Sequence, residues 1–169
     1  MSATAFTAPA SHRQISGYAR TGIGLPLVPA AGELRGHPCA SDFEALRAAY
    51  RATGGLADGD DFARLLEDRQ CGDCVSLARL IASRAVFGFP WHGRFWIPMC
   101  QFDRRDLSVR TSTRRIVEEL MPPYDGWEMA AWFVQPNAWL NGSSPLDGID
   151  SDAGQVLKAA SVERFVATG

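Results

Sequence analysis

Val86-Phe87-Gly88-Phe89-Pro90-Trp91-His92-Gly93-Arg94-Phe95-Trp96-Ile97-Pro98 is where the periodicity of this chain changes. Aromatic and branched residues gather in two runs on either side of His92-Gly93, and the glycine supplies the positive φ that a tight hairpin turn needs. The stretch reads as two short strands, with Pro90 and Pro98 keeping them out of a central sheet position because proline cannot donate to a ladder. Most of what flanks it has helical period, so the expected fold is mainly α with a small β-hairpin.

Working back from the hairpin, Asp73 can cap a helix that buries Val75, Leu77, Leu80 and Ile81 and leaves Arg79 and Arg84 outside. A short link, Gln70–Gly72, joins it to an earlier helix with Asp60 and Asp61 at its start and a stripe of Phe62, Leu65 and Leu66. Before these, Ser41 or Asp42 opens a helix carrying Phe43, Leu46, Ala49 and Tyr50, ended by Gly54-Gly55. Residues 1–40, broken by Gly22-Ile23-Gly24-Leu25-Pro26 and Leu27-Val28-Pro29, read as an irregular arm.

Downstream, the helical period returns from Thr111 through Ile116, Val117, Leu120 and Met121 and stops at Pro122-Pro123. It resumes over Trp127–Gln135 until Pro136. Asn141-Gly142-Ser143-Ser144 is a loop, Ser144 caps a short turn with Pro145 first, and Asp150 or Ser151 starts a last helix with Val156, Leu157, Ala160 and Phe165 inward. The chain thus divides into the arm (1–40), a helical unit with an aromatic hairpin (41–103) and a C-terminal helical domain (104–169), with the last boundary near Phe102–Leu107.

The 169 residues, 46% hydrophobic and 21% charged, suit one medium or two small globular domains. No apolar run reaches the ~20 residues of a membrane helix, and Met1-Ser2-Ala3-Thr4-Ala5-Phe6 lacks the basic and apolar regions of a secretory signal. The expectation is a cytoplasmic protein without a membrane partner, its four cysteines reduced. The net charge of −2 hides segregation: eight Arg against two acids over residues 77–117, and two bases against eight acids over residues 118–169. An all-arginine basic block interleaved with Phe87, Trp91, Phe95 and Trp96 suits phosphate contact; the acidic end is left for a protein partner.

Helix, short turn, helix and hairpin over Asp60–Asp103 is the order of a helix-turn-helix with a wing. The pattern resembles MerR-like and excisionase heads, with Phe62–Leu66 supporting and Ser76–Ile81 in the recognition position. Arg79, Arg84, His92 and Arg94 are then the expected DNA contacts.

A second resemblance starts at Phe95-Trp96-Ile97-Pro98-Met99-Cys100-Gln101-Phe102-Asp103 and runs through Pro136, Asn137, Leu140, Gly142, Pro145 and Leu146. It is similar to the toxin-binding domain of Xre/MbcA/ParS-type antitoxins, whose Pro-Asn-x-x-Leu-x-Gly-x-x-Pro-Leu motif these residues match; the family's basic residue between Gly and Pro is replaced by Ser143-Ser144. Pro136 ends a helix, Asn137 bonds nearby amides, Gly142 turns the chain, Pro145 restarts it, and Leu140 and Leu146 plug the core. The resemblance implies a RES-type, NAD-consuming toxin as partner, contacted through Asn137, Leu140, Phe165, Val166, Thr168 and Gly169. It also implies a homodimer, and an operon that the protein represses by binding operator DNA.

His12, His37 and His92 have no partner set for a nucleophile, and no Gly-rich loop joins a strand to a helix for phosphate binding. Cys71 and Cys74 form a CxxC that could ligate zinc with His37 and Cys39, but small thiols are common at a helix start and the turn needs no metal. The expected protein is an antitoxin rather than an enzyme, with no cofactor. The alternatives are a stand-alone DNA-binding regulator whose C-terminal domain dimerises, and a zinc or thiol enzyme.

Overall fold

The computed structural model describes residues 38–168, so the expectation for the arm lies almost wholly outside it. Among the described residues it holds seven α-helices and one three-stranded sheet, mainly α with a small antiparallel β element.

Helix α1, Ala40–Tyr50, starts one turn earlier than its acidic residue suggests: Cys39 is the capping position, and its N–H donates to Asp42 Oδ2 at 2.8 Å. A 3-10 turn, Arg51–Thr53, closes it, and Gly54 (φ +107°) and Gly55 (φ +81°) reverse the chain in the left-handed region that glycine enters without a Cβ clash.

That reversal launches a strand absent from the sequence reading. β1 (Leu56–Asp58) pairs antiparallel with β3 (Arg94–Pro98), which also pairs with β2 (Phe89–Trp91), giving the order β1-β3-β2. The hairpin is present, turned by His92 (φ 47°) and Gly93 (φ 75°), but its second strand is central. Pro98 is tolerated there because it is the last residue of β3, opposite Leu56; the next amide, Met99, donates to Gly55 O at 3.0 Å and continues the ladder. Pro90 lies on the edge strand β2, where a missing N–H costs nothing.

Helix α2 (Gly59–Asp68) is capped by Asp58, whose Oδ1 accepts the N–H groups of Asp60 and Asp61 at 3.1 and 3.3 Å. Helix α3 (Cys74–Ala82) is capped as expected by Asp73, which accepts the Ser76 N–H at 2.7 Å. The two helices close a small core of Phe62, Ala63, Leu66, Leu77, Val86, Ile97, Phe102 and Leu107. Two residues leave the expected stripes: Val75 and Leu65 are exposed. Val75 lies two residues, or about 200°, from the buried Leu77, and Leu65 two residues, or about 200°, from the buried Ala63, so each falls toward the outer side of a helix covered on one side only.

A larger core unites the C-terminal helices α4 (Thr111–Leu120), α5 (Gly126–Val134), α6 (Pro145–Gly148) and α7 (Ala153–Thr168) with α1 and the start of the hairpin. Phe43, Leu46 and Tyr50 of α1 are buried in it, and the Tyr50 hydroxyl donates to Ala130 O at 3.0 Å; burial holds that phenol well above its ordinary pKa. α1 therefore packs on α5, not on the helix pair that follows it in sequence. Adjacent residues Val86 and Phe87 point into different cores, the small and the large, as alternation in extended chain dictates.

The last helix differs from expectation at both ends. It begins at Ala153, with Asp152 Oδ1 accepting the Gln155 N–H at 3.1 Å, rather than at Asp150 or Ser151. Val156, Ala159 and Ala160 face inward and Leu157 is half-buried, but Phe165 is 75% exposed. The reason is length: α7 runs alongside α4 and, at ~1.5 Å per residue, is about 24 Å long against about 15 Å for α4, so its final turn passes beyond its neighbour. Among the described residues no helix is long and apolar enough to cross a membrane.

Candidate functional site

Two surfaces hold the residues singled out from sequence. On the central unit, Arg79 lies on the outside of α3 and Arg84 follows its end at φ 59°, both exposed. His92 sits at the hairpin turn and stacks on Trp91, ring centroids 4.5 Å apart. Arg94 is engaged: its Nε donates to Asp58 Oδ2 at 2.8 Å, Asp61 lies 4.0 Å from Nη2, and the guanidinium covers the Trp96 ring at 5.8 Å. Asp58 thus caps α2 with one oxygen and holds the first residue of β3 with the other, a link not apparent in sequence. Asp73 is held below the ordinary carboxylate range, first by the Ser76 hydroxyl and amide and to a smaller extent by the charge of Arg79.

On the C-terminal helices, the Pro136–Leu146 loop is built from its own hydrogen bonds. Asn137 is buried; its Oδ1 accepts the Trp139 N–H at 2.9 Å, its carbonyl accepts the N–H groups of Leu140 and Gly142 at 3.0 and 2.9 Å, and its N–H donates to Ser143 O at 3.0 Å. Asn141 (φ 55°) and Gly142 (φ 83°) make the reversal. Ser144 Oγ accepts the Asp147 N–H at 3.2 Å, with Pro145 the first residue of α6 and Leu146 buried. Pro136 follows the end of α5. The loop and α7 enclose a cleft of about 330 Å³ edged by Trp139, Leu140 and Gln155, and Trp139 is 63% exposed.

Phe165 and Val166 lie at the other end of α7, about 13 Å along the axis from Val156 beside that cleft. The expected toxin contacts therefore fall in two separate places: Asn137 and Leu140 in the loop beside the start of α7, and Phe165, Val166 and Thr168 on its last turns. The Thr168 hydroxyl donates to Arg164 O at 2.8 Å, and Gly169 lies outside the described residues. Just before the exposed turn, the helix is fastened by Tyr124, whose hydroxyl donates to Glu163 Oε1 at 2.5 Å, and by an Arg164–Glu119 ion pair at 3.2 Å. Burial raises the Tyr124 phenol above its ordinary pKa, and the Glu163 carboxylate raises it further. Sequence reasoning missed Trp139, Tyr124 and Glu163; the exposure of Trp139 and the Tyr124–Glu163 bond, made across 39 residues, exist only once the chain is folded.

Cys39, Cys71, Cys74 and Cys100 are free thiols; the first three are exposed, and burial pushes Cys100 up to about 12, with the Arg110 charge opposing. Among the described residues no group of three or more His, Cys, Asp or Glu is placed to hold a metal ion, and His37 lies outside them.

Compared with known proteins, the chain matches no family model, no curated protein and no solved structure.

Proposed function

We propose that this chain is a binding protein rather than an enzyme: an antitoxin of the Xre/MbcA/ParS type that inhibits a RES-type, NAD-consuming toxin in the cytoplasm, as a homodimer. One observation carries the reading. The final turn of α7 presents Phe165 and Val166, 75% and 72% exposed, just past the anchors at Glu163 and Arg164. Paired large apolar side chains on a rigid helix end are what the buried centre of a protein interface uses, and they gain nothing from facing water. The self-bonded Pro136–Leu146 loop supports the same reading as a shape-keeping motif.

The test is co-expression with the product of the neighbouring reading frame. The wild-type chain is expected to rescue growth and to copurify with that product. Phe165→Ala/Val166→Ala leaves the Tyr124–Glu163 and Arg164–Glu119 contacts in place, so the fold should hold while affinity falls by at least about 30-fold, as for loss of interface hot spots worth roughly 2 kcal/mol. A folded double variant that neutralises as well as wild type would overturn the reading.

A stand-alone DNA-binding regulator is the second reading, favoured by the separate small core that α2, α3 and the hairpin close around Phe62 and Ile97, with Arg79 and Arg84 turned outward. The same unit would let an antitoxin repress its own operator. If no toxin-like frame adjoins the gene, that reading takes precedence.

A further inference from the structure

A cluster of five arginines, Arg47, Arg51, Arg104, Arg105 and Arg110, lies away from both α3 and the hairpin turn. Two clefts meet at Arg104, at the end of the sheet where Leu56 faces Pro98, remote from His92-Gly93. One, of about 390 Å³, runs past Arg47 and Arg51; the other, of about 350 Å³, runs past Arg105 to Arg110. Sequence alone could not assemble them, because the arginines come from α1, its 3-10 turn, the loop after the sheet and the approach to α4.

Carboxylates already neutralise part of this set: Glu44 pairs with Arg47 at 3.2 Å and Asp150 with Arg110. Arg51, Arg104 and Arg105 make no ion pair among the described residues. Asp103 accepts the Arg105 backbone N–H at 2.8 Å and keeps its charge, so the two clefts hold five arginines against three carboxylates, Glu44, Asp103 and Asp150; the Arg105 guanidinium is exposed. Arg104 Nη2 donates to Ala52 O at 2.8 Å, which orients the guanidinium, and among the described residues its other donors have no hydrogen-bond partner.

The chemistry of the clefts narrows the ligand. A planar guanidinium fork matches phosphate oxygens bidentately. A protein partner would require an apolar centre, yet the exposed large apolar residues, Leu65, Val75, Trp139, Phe165 and Val166, all lie outside both clefts. A single strand would require exposed rings on which bases stack, and the aromatic ring that lines the clefts, Phe102, is 3% exposed. A row of phosphates whose bases are already paired requires neither an apolar centre nor exposed rings, and it fits these clefts.

We infer that Arg51, Arg104 and Arg105 grip the backbone phosphates of a DNA duplex. This contact is separate from α3 and from the hairpin turn, and it does not depend on the toxin-binding reading. It carries no sequence preference, since phosphates are the same at every step.

Fluorescence anisotropy of the full chain with a short labelled duplex, titrated at several salt concentrations, tests it. Wild type should bind with affinity that falls as salt rises, and Arg51→Gln/Arg105→Gln should flatten the log–log salt slope by about 2 and weaken low-salt binding roughly tenfold or more. Arg69→Gln/Arg115→Gln, which removes the same charge from exposed positions elsewhere, should leave the slope within about 0.5 of wild type. Arg105→Gln alone, expected to lower the slope by about 1, serves if circular dichroism shows the double variant misfolded. No binding by wild type at low salt, an unchanged slope in a folded Arg51/Arg105 variant, an equal loss in the control pair, or displacement by poly-glutamate as effective as by unlabelled duplex would each overturn the assignment.

Discussion

The side-chain amide of Gln101 is 1% exposed and fully engaged: its Oε1 accepts the Phe87 N–H at 2.8 Å, and its Nε2 donates to the carbonyls of Phe87 and Pro98 at 2.8 and 3.0 Å. It stands in for the missing strand partner at the point where the chain leaves α3 and enters the hairpin. A buried backbone group stripped of its partner costs about 1–3 kcal/mol. Gln101→Leu leaves the N–H and C=O of Phe87 unpaired, and its unfolding free energy, measured by urea titration, is expected to fall by about 3 kcal/mol. An unchanged midpoint and slope would show that water reaches Phe87. Gln101 was visible in sequence, within the Pro98-Met99-Cys100-Gln101-Phe102 stretch that opens the second resemblance; its partner fourteen residues earlier was not. The Asp58–Arg94 pair was hidden in the same way, because Asp58 reads locally as one more acid before a helix.

Among the elements, α5 and the segment entering β2 cross at two glycines. A Cβ built on Gly126 would lie 2.0 Å from Gly88 O, and one on Gly88 would lie 2.5 Å from Phe95 Cε1 and 2.6 Å from Trp96 O. The obstruction at Gly126 is backbone, which cannot rotate away as a side chain would. Gly126 is the first residue of α5, inside a capping box in which Asp125 accepts the Glu128 N–H at 2.8 Å. On propensity alone, Gly126→Ala should favour the helix by up to about 1 kcal/mol. The close approach reverses that sign, and a net loss of about 1–3 kcal/mol is expected from overpacking, read as a lower thermal midpoint. A raised midpoint would mean that α5 stands farther from the hairpin. Helix period and capping residues made α5 legible from sequence, but nothing local records what its first turn touches.

At the scale of the molecule, the large core is assembled from segments distant in sequence. Phe43, Leu46 and Tyr50 from α1, with Phe87 and Phe89 from the hairpin, pack on Ile116, Val117, Leu120 and Phe133 of the C-terminal helices. Residues 104–169 alone lack five of these large apolar side chains, each worth ~1.5–3 kcal/mol of burial, together comparable to the whole net stability of a typical domain. A fragment of 104–169 should therefore give a largely disordered far-UV circular dichroism spectrum, whereas 38–168 should unfold in one cooperative transition. A folded 104–169 fragment would show that α1 decorates the domain rather than completing it. The boundary near Phe102–Leu107 follows a change in sequence pattern; the core crosses it.

The sequence by itself determined the features made by neighbours along the chain. These are the mainly α class, the Asp73 and Ser144 caps, the His92-Gly93 turn and the self-bonded loop from Pro136 to Leu146. Each is formed by side chains and amides a few residues apart, whose geometry follows from torsion angles alone. Only the tertiary structure decided that Leu56–Asp58 is a strand, that Pro98 ends a central one, that α1 belongs with α5 and that Arg94 is paired. It also turned Phe165 outward and brought Arg51, Arg104 and Arg105 to one surface. Those outcomes depend on which elements meet and how far each extends past its neighbour, and local periodicity is the same whether or not a partner lies opposite.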